Sequence, residues 1–524
     1  MAQRALVLKW SIIHDLMRGD HARAAVTMVA FEAVDQTSLH DPRIASANNF
    51  LKVYYQTRTG DFDAAIENME RGLALASDVG VTAWRFQLLM HGTAAAIAKG
   101  DRSFTMTLLK KMAPFAQASA GFAPYSFHSL SAWHAYSMQQ DALAYEHAKQ
   151  AHAVTLRFNF IHFDGIALFA LAIVEFRLGK REQAHSHLAS ALALARKSEG
   201  KILEHMCRLV EADFAFSEVR ADSGLQALAA GLALGRDERF INFTFWDASM
   251  MSRLCARAIA AGIEVDYTSD IITRRKLVAP ADASPQWPWP IKIVTLDAFV
   301  VLLNGKPLEF SRKAPKKLIS LLKAIICFGG DDVPESSLVD ALWSDQEADD
   351  AHEALSKALQ RLRKLLGEDV LLVQADRVGL NRHKVWIDAW WFEQQAATVT
   401  VDVDAMDTLI SFYKQRFLLA DEEGPRTVAA RDRLHLKYLR LVSARAGYLT
   451  ESGSFSAAIS LCEQAIGIDA LAENLYQCAM TANMKLGRNA EAALLYRRLR
   501  QALSVSLALE PSPRTQELYR ALRL

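Results

Sequence analysis

No uninterrupted apolar run in this chain reaches the ~18 residues needed to cross a bilayer as a helix. The nearest, Gly165 to Val174, is short and flanked by Asp164 and Glu175. The N-terminus, MAQRALVLKWSIIHDLM, has the period of an amphipathic helix and lacks the layout of a signal peptide. Cysteine is scarce: Cys207, Cys255, Cys327, Cys462 and Cys478 lie far apart with no CxxC pair, so buried free thiols of a cytoplasmic protein are expected. Charge of one sign is missing too. The formal net charge is +1, which gives no global signature of nucleic-acid binding. No GxxxxGK[ST] loop occurs; Gly305-Lys306 and Gly200-Lys201 lack the following Ser/Thr and the upstream glycine. There is no GxSxG elbow and no HExxH helix. His185, His187, His205 and Cys207 match no standard zinc spacing and are expected to be solvated or packed helix residues. The expectation is a protein with no catalytic residue, no cofactor and no metal, and hence not an enzyme.

What is present is an ordinary globular composition, 51% hydrophobic and 23% charged over 524 residues, enough for about two to four domains. Residues 1–276 read as helical throughout. A motif recurs there: a helix, a Gly with a polar neighbour, then an Ala-containing helix. It occurs as RGDHARAAV at Gly19, TGDFDAAIENM at Gly60, KGDRSFTMTLL at Gly100 and LGKREQAHSHL at Gly179. The missing copy falls at MQQDALAYEHA, where Gln139-Gln140 replaces the Gly turn. A period near forty marks stacked helical hairpins, each stable only against its neighbours. Residues 277–290, with four prolines in APADASPQWPWP, read as a linker. Residues 400–524 are helical again, and Gly453 and Gly487 stand 34 residues apart in ESGSFSAAISLCEQAI and KLGRNAEAALLYRRL, a tetratricopeptide-like spacing.

The stretch 291–395 differs from both. Two short alternating apolar runs, IKIVTL and AFVVLL, broken by Asn304-Gly305, read as a β-hairpin. Three helical patterns follow. The first, APKKLISLLKAIICFGG, has an apolar face of Leu318, Leu321, Leu322, Ile325 and Ile326 and ends at Gly329-Gly330. The second is PESSLVDALW. The third runs from near Asp349-Asp350 to Gly367, with Leu355, Ala358, Leu359, Leu362, Leu365 and Leu366 on one side and Ser356, Lys357, Gln360, Arg361 and Lys364 on the other. A second hairpin, VLLVQADRVGLNRHKVWID, is expected to carry cations at its tip, with Asn381 favouring the turn. Strands, three helices and a basic hairpin make a winged helix-turn-helix. Charges are segregated within it: five cations and no acid over 311–330, nine acids and no cation over 331–356, four cations and no acid over 357–364. One face can be positive on a near-neutral domain. Candidate DNA contacts are Ser356, Lys357, Gln360, Arg361 and Lys364 on the third helix, Arg312 and Lys316 (with Lys313 and Lys317) at the first, and Arg377, Arg382 and Lys384 (with His383) on the wing. Arg363 lies toward the flank and suits a structural ion pair. Trp287, Trp289, Trp386, Trp390 and Trp391 bracket the domain; packing anchors fit them better than a stacking platform for single strands.

Residues 291–393 resemble the winged helix of the OmpR/PhoB group, with ALQRLRKLLG matching its recognition-helix ending. IVTLDAFVVLLNGKPLEF followed by RKAPKKLISLLK resembles the version fused to a bacterial transcriptional activator domain, as in SARP-type activators. YKQRFLLADE, IDALAENLYQCAM, LGRNAEAALLYRRLRQAL and LEPSPRTQELYRAL fit that second domain. The resemblance implies that the two halves act together, binding direct repeats of duplex DNA and recruiting RNA polymerase. In place of an OmpR-type receiver, residues 1–276 are repeats similar to those of large maltose-activator-type regulators, which carry an upstream NTPase. The first repeat starts almost at Met1, so the chain is expected to descend from, or be a piece of, such a regulator.

The expected fold is mainly α: an N-terminal α-solenoid of tetratricopeptide-like repeats (1–276), a Pro-rich linker (277–290), a central winged helix-turn-helix with small β-hairpins (291–395), and a C-terminal tetratricopeptide-like helical domain (400–524). The expected function is sequence-specific transcription regulation, with DNA, RNA polymerase, an unidentified protein or small-molecule effector at the repeats, and a second copy of the chain on DNA as partners, and no membrane. The competing expectation is an interaction scaffold whose winged helix binds protein.

Overall fold

A computed structural model describes residues 2–35, 42–78, 84–118, 121–158, 161–281, 283–308, 316–399, 402–419 and 425–522. The chain divides into two compact units, Met1–Trp287 and Pro288–Leu524.

The first unit is a solenoid of six helical hairpins. They are α1 and α2 (Ala2–Arg18, His21–Asp35), α3 and α4 (Pro42–Thr59, Phe62–Asp78), α5 and α6 (Arg85–Lys99, Arg102–Ala118), α7 and α8 (Phe122–Ser137, Asp141–Phe158), α9 and α10 (Ile161–Arg177, Arg181–Lys197), and α11 and α12 (Lys201–Ser217, Ala221–Glu238). Every hairpin turns the same way. One residue takes a left-handed backbone, and the next N–H reaches back five residues, as in Asp61 N to Gln56 O at 2.9 Å and Asp101 N to Ala96 O at 3.0 Å. The left-handed residues are Gly19, Gly60, Gly100, Gln139, Gly179 and Val219. Gln139, at φ 58°, fills the place of the missing glycine, as the period required. Val219, at φ 59°, is a sixth copy hidden from the motif because valine stands where glycine is usual.

Helix does not continue to 276 without a break. Residues 239–247 connect α12 to α13 (Ala248–Ala260), which is followed by α14 (Val265–Arg274). The connection RFINFTFWD has no helical period and is dense in aromatic and β-branched residues. It runs through the interior of the unit: Phe240, Ile241, Asn242, Phe243, Phe245 and Trp246 are buried. A buried irregular segment must find partners for its polar groups. Asn242 Nδ2 donates to Thr57 O at 2.9 Å, Arg275 donates to Asn242 Oδ1 at 2.6 Å and to Ala98 O at 3.1 Å, and Trp133 Nε1 donates to Trp246 O at 3.4 Å. Of the Pro-rich stretch, Leu277, Ala279, Ala283 and Trp287 are buried.

In the second unit, β1 (Ile291–Val294), β2 (Val300–Leu303) and β3 (Lys306–Pro307) precede α15 (Lys316–Cys327). Then come β4 (Val333–Pro334), α16 (Glu335–Leu342), α17 (Ala348–Leu366), β5 (Leu371–Gln374), β6 (Arg377–Leu380) and β7 (Val385–Ile387). One sheet has the order β3-β2-β1-β7, with β1 antiparallel to β2 and parallel to β7. The other, β4-β6-β5, holds the wing. Asn304-Gly305 (φ 47° and 77°) joins β2 to β3, whereas β1 and β2 are joined by residues 295–299. α18 (Asp388–Thr398) and α19 (Val403–Phe412) lead into α20 (Pro425–Glu451), α21 (Phe455–Ile468), α22 (Glu473–Lys485), α23 (Asn489–Leu507) and α24 (Pro513–Arg520). Gly453 and Gly487 make the same left-handed turn as the first unit's hairpins.

One hydrophobic core runs from Ile291 and Ile293 through Leu321, Leu355 and Phe392 to Tyr476 and Leu499. The winged helix and the helices behind it therefore share an interior. α18 is the joint. The buried Asp388 carboxylate accepts from Thr295 N at 2.7 Å and Leu296 N at 2.8 Å, and also from the Thr295 hydroxyl. Burial pushes that carboxyl up, opposed by these donors. Glu393 pairs with Arg433 at 2.9 Å and Lys437 at 3.0 Å on α20. Trp289 and Trp386 are buried and Trp390 and Trp391 half-buried, so the tryptophans act as packing anchors.

Candidate nucleic-acid interface

The geometry of α17 follows from its sequence period. At about 100° per residue, Ser356, Lys357, Gln360, Arg361 and Lys364 fall within an arc of about 140°, and Leu355, Ala358, Leu359, Leu362 and Leu366 fall on the opposite side. The first five are exposed and the second five buried. Burying a leucine contributes about 1.5–3 kcal/mol, so the apolar side fixes which way the polar side faces. The exposed set extends about 12 Å along the axis, comparable with the width of a DNA major groove.

The N-terminal turn of this helix is acidic. Asp349 and Asp350 suit the positive end of the helix dipole. Glu353 lies on the same side as the cations and pairs with Lys357 at 2.5 Å. Hydrogen bonding from the Lys357 ammonium holds the Glu353 carboxyl below the usual range. Lys357 is thus partly neutralised, and Arg361 and Lys364, with no ion pair among the described residues, carry the stronger field. Arg363 is half-buried on the flank, but no ion pair holds it among the described residues, and its Nε is buried without a partner. The expected structural pair does not form among the described residues.

The remaining cations are placed differently from one another. Arg312 and Lys313 lie outside the described residues. Lys316 is exposed at the start of α15, whereas Lys317 donates to Leu342 O and lies over the Trp343 ring at 5.3 Å. The wing turns at Ala375-Asp376, both with positive φ (47° and 59°), so its tip is not the basic stretch expected there. Arg377, next to the tip, is exposed and pairs with Asp332 at 3.2 Å. Arg382 and Lys384 sit past β6, in the turn that Asn381 forms toward β7. Arg382 stacks on Trp390 at 4.4 Å and donates to Gly329 O at 3.2 Å, and Lys384 pairs with Asp369. Both tie parts of the domain together.

The Arg382–Trp390 stack was not foreseen, although one signal was present. Gly330 has φ 68°, and a Cβ built there would lie 1.9 Å from the Trp390 ring. The paired glycines end α15 and also make room for this indole. Of the four residues weighed as metal ligands, three have other partners, with His185 bonding Glu218 at 2.9 Å, His187 bonding Glu175 at 2.7 Å and His205 bonding Gly231 O at 2.8 Å, and Cys207 is buried. Among the described residues, no helix is long and apolar enough to cross a membrane.

Residues 387–523 match the family described as bacterial transcriptional activator domain. The regulatory protein AfsR of Streptomyces griseus is 28% identical over 207 residues, covering 38% of this chain and 21% of that protein. AfsR of Streptomyces coelicolor is 26% identical over 209 residues, with the same coverage. The matched stretch thus spans about a fifth of these relatives. Among solved structures, Mycobacterium tuberculosis EmbR in complex with a low-affinity phosphopeptide is 20% identical, covering 45% of this chain and 65% of its own, with a TM-score of 0.34. A Rap protein complexed with competence and sporulation factor is 13% identical, covering 88% and 98%, with a TM-score of 0.33. At scores this low, neither likeness bears on function. Residues 387–523 match the bacterial transcriptional activator domain, and with a winged helix built onto the same core the second unit is similar in make-up to SARP-type regulators.

Proposed function

We propose that this chain is a cytoplasmic, sequence-specific DNA-binding transcription activator, in which the winged helix reads duplex DNA, the C-terminal domain recruits RNA polymerase and the N-terminal repeats form a sensing arm. The observation that carries the reading is α17: five exposed cationic, amide or hydroxyl side chains on one side of a helix whose other side is locked into the core. Arg361 and Gln360 have the donor geometry for base edges, while Lys364, Lys357 and Ser356 suit phosphates. Lys316, Arg312 and Arg377 are assigned to backbone contacts. Arg382 and Lys384, being engaged within the domain, are assigned a contribution through the positive field. The shared core supports a further point: the recognition helix and the activator domain hold one fixed orientation, so bound DNA presents the activator surface to polymerase at a set angle. The repeats would take a protein or small-molecule effector, and a second copy would bind the adjacent half of a direct repeat.

A gel shift of the full chain on duplexes selected from a randomised pool tests this. Saturable, salt-sensitive binding to an enriched sequence is expected. Binding to no duplex at low salt would leave the winged helix as a protein-binding module and favour the scaffold reading.

A further inference from the structure

Inside the first unit lies a cavity of about 310 Å³ that the DNA-binding reading does not use. Its size falls at the lower end of ordinary small-molecule sites. Its walls come from the first helix of five successive hairpins, α1, α3, α5, α7 and α9, and from the threaded segment at Asn242 and Thr244. Aromatic rings dominate the lining. Phe50 and Trp84 stack at 5.2 Å, the Tyr54 and His91 rings at 4.1 Å, and Phe122 meets Phe163 at 5.2 Å.

Among the described residues of this lining, Arg58 is the only formally charged side chain. Its guanidinium lies 5.5 Å from the Tyr54 ring centroid, and among the described residues no carboxylate pairs with it. The two lining histidines add no charge. Burial and the Arg58 charge hold His91 down to about 3 and His162 down to about 4, so both are neutral at pH 7. An unpaired, half-buried cation among aromatic rings is costly unless something anionic completes it. The Gln87 Oε1, also in the lining, is buried with no hydrogen-bond partner.

We propose that this cavity is an effector site for a small aromatic monocarboxylate, its ring sandwiched between the aromatic walls and its carboxylate held by the Arg58 fork. A single guanidinium matches one carboxylate in two parallel hydrogen bonds, whereas a phosphate ester with two charges calls for more donors than the lining offers. Gln87 supplies an unpartnered amide oxygen as acceptor for a ring substituent. A bound ligand would touch five hairpins and the segment that runs between them, so occupancy ties together elements that are far apart in sequence. The assignment deepens the reading of the repeats as a sensing arm, and it rests on that reading for its biological role only.

The test uses the full chain with 2-naphthoate and its uncharged analogue 2-naphthamide, followed by isothermal titration and by quenching of tryptophan fluorescence, since Trp10, Trp84 and Trp133 line the cavity. Naphthoate should bind saturably and at least about tenfold more tightly than the amide. Arg58→Gln should remove that preference, bringing naphthoate down to the affinity of the amide. Ala94→Phe, which fills the cavity and leaves Arg58 in place, should abolish binding of both, with an unaltered circular dichroism spectrum showing that each variant is folded. Equal binding of acid and amide, indifference to Arg58→Gln, or no saturable binding of either probe at millimolar concentration would overturn the proposal. Duplex binding by the same preparations is measured separately. A failure of the cavity assignment with intact DNA binding leaves the regulator reading standing, and the reverse result separates them the other way.

Discussion

Arg361 and Lys364 are three residues apart on the exposed side of α17, yet they should fail differently. Arg361→Ala is expected to weaken operator binding by about 1–3 kcal/mol and to relax preference at one base pair, because a bidentate base contact carries sequence information. Lys364→Ala should weaken all duplexes evenly and reduce the slope of log K against log salt by about one, the signature of a lost phosphate contact. Equal losses on all sequences for both variants would show that neither reads a base. Two single residues also set backbone conformation. Val219 holds φ 59° at an exposed hairpin turn where four of the other five turns in the series use glycine. A β-branched residue there costs about 1–2 kcal/mol, so Val219→Gly should raise the stability of the first unit by about 1 kcal/mol in urea unfolding. No gain would mean the turn is relaxed by its surroundings. The hairpin series was legible through its glycines and through the gap at Gln139-Gln140. The copy at Val219 was not, because a residue-type motif cannot register a backbone conformation held against its side chain's preference.

At the scale of elements, joints decide more than faces. The Asp388 carboxylate gathers donors from residues 295–296, closing the loop after β1 onto the start of α18. Asp388→Asn keeps the shape but turns one acceptor into a donor facing backbone N–H groups. It should destabilise the second unit by about 2–4 kcal/mol, read as an earlier denaturation midpoint with an unchanged m-value. An unchanged midpoint would show that the loop finds other partners. The turn after β6 behaves similarly. Replacing Arg382 and Lys384 with Ala should lower DNA affinity for specific and non-specific duplexes alike and also lower stability, since the Trp390 stack and the Asp369 pair go with them. A loss at one base pair alone, with stability intact, would show direct readout there. The three helices and the exposed polar side of α17 were legible because burial of leucines at helical spacing is a strong, local signal. The wing tip was placed wrongly because Asn381 does form a turn, only the next one along. The passage of 239–247 through the interior was missed because its partners, Thr57, Trp133 and Arg275, are scattered over more than two hundred residues.

For the whole molecule, the claim is a division of labour between two units. Residues 288–524 have a continuous core of their own, so the fragment should fold and bind the same duplexes as the full chain, with the repeats changing response and not the sequence read. A fragment that is folded yet cannot bind DNA would assign part of the reading to the repeats. The central claim, that α17 reads duplex DNA, is tested most directly by fluorescence anisotropy. The full chain and its Arg361→Ala/Lys364→Ala variant are titrated against the duplex that the full chain enriches from a randomised pool, at fixed physiological salt. The account predicts that the full chain binds this duplex at least about 10³-fold more tightly than an unselected one, and that the double variant loses most of that margin. Unchanged affinity of a folded double variant would contradict it.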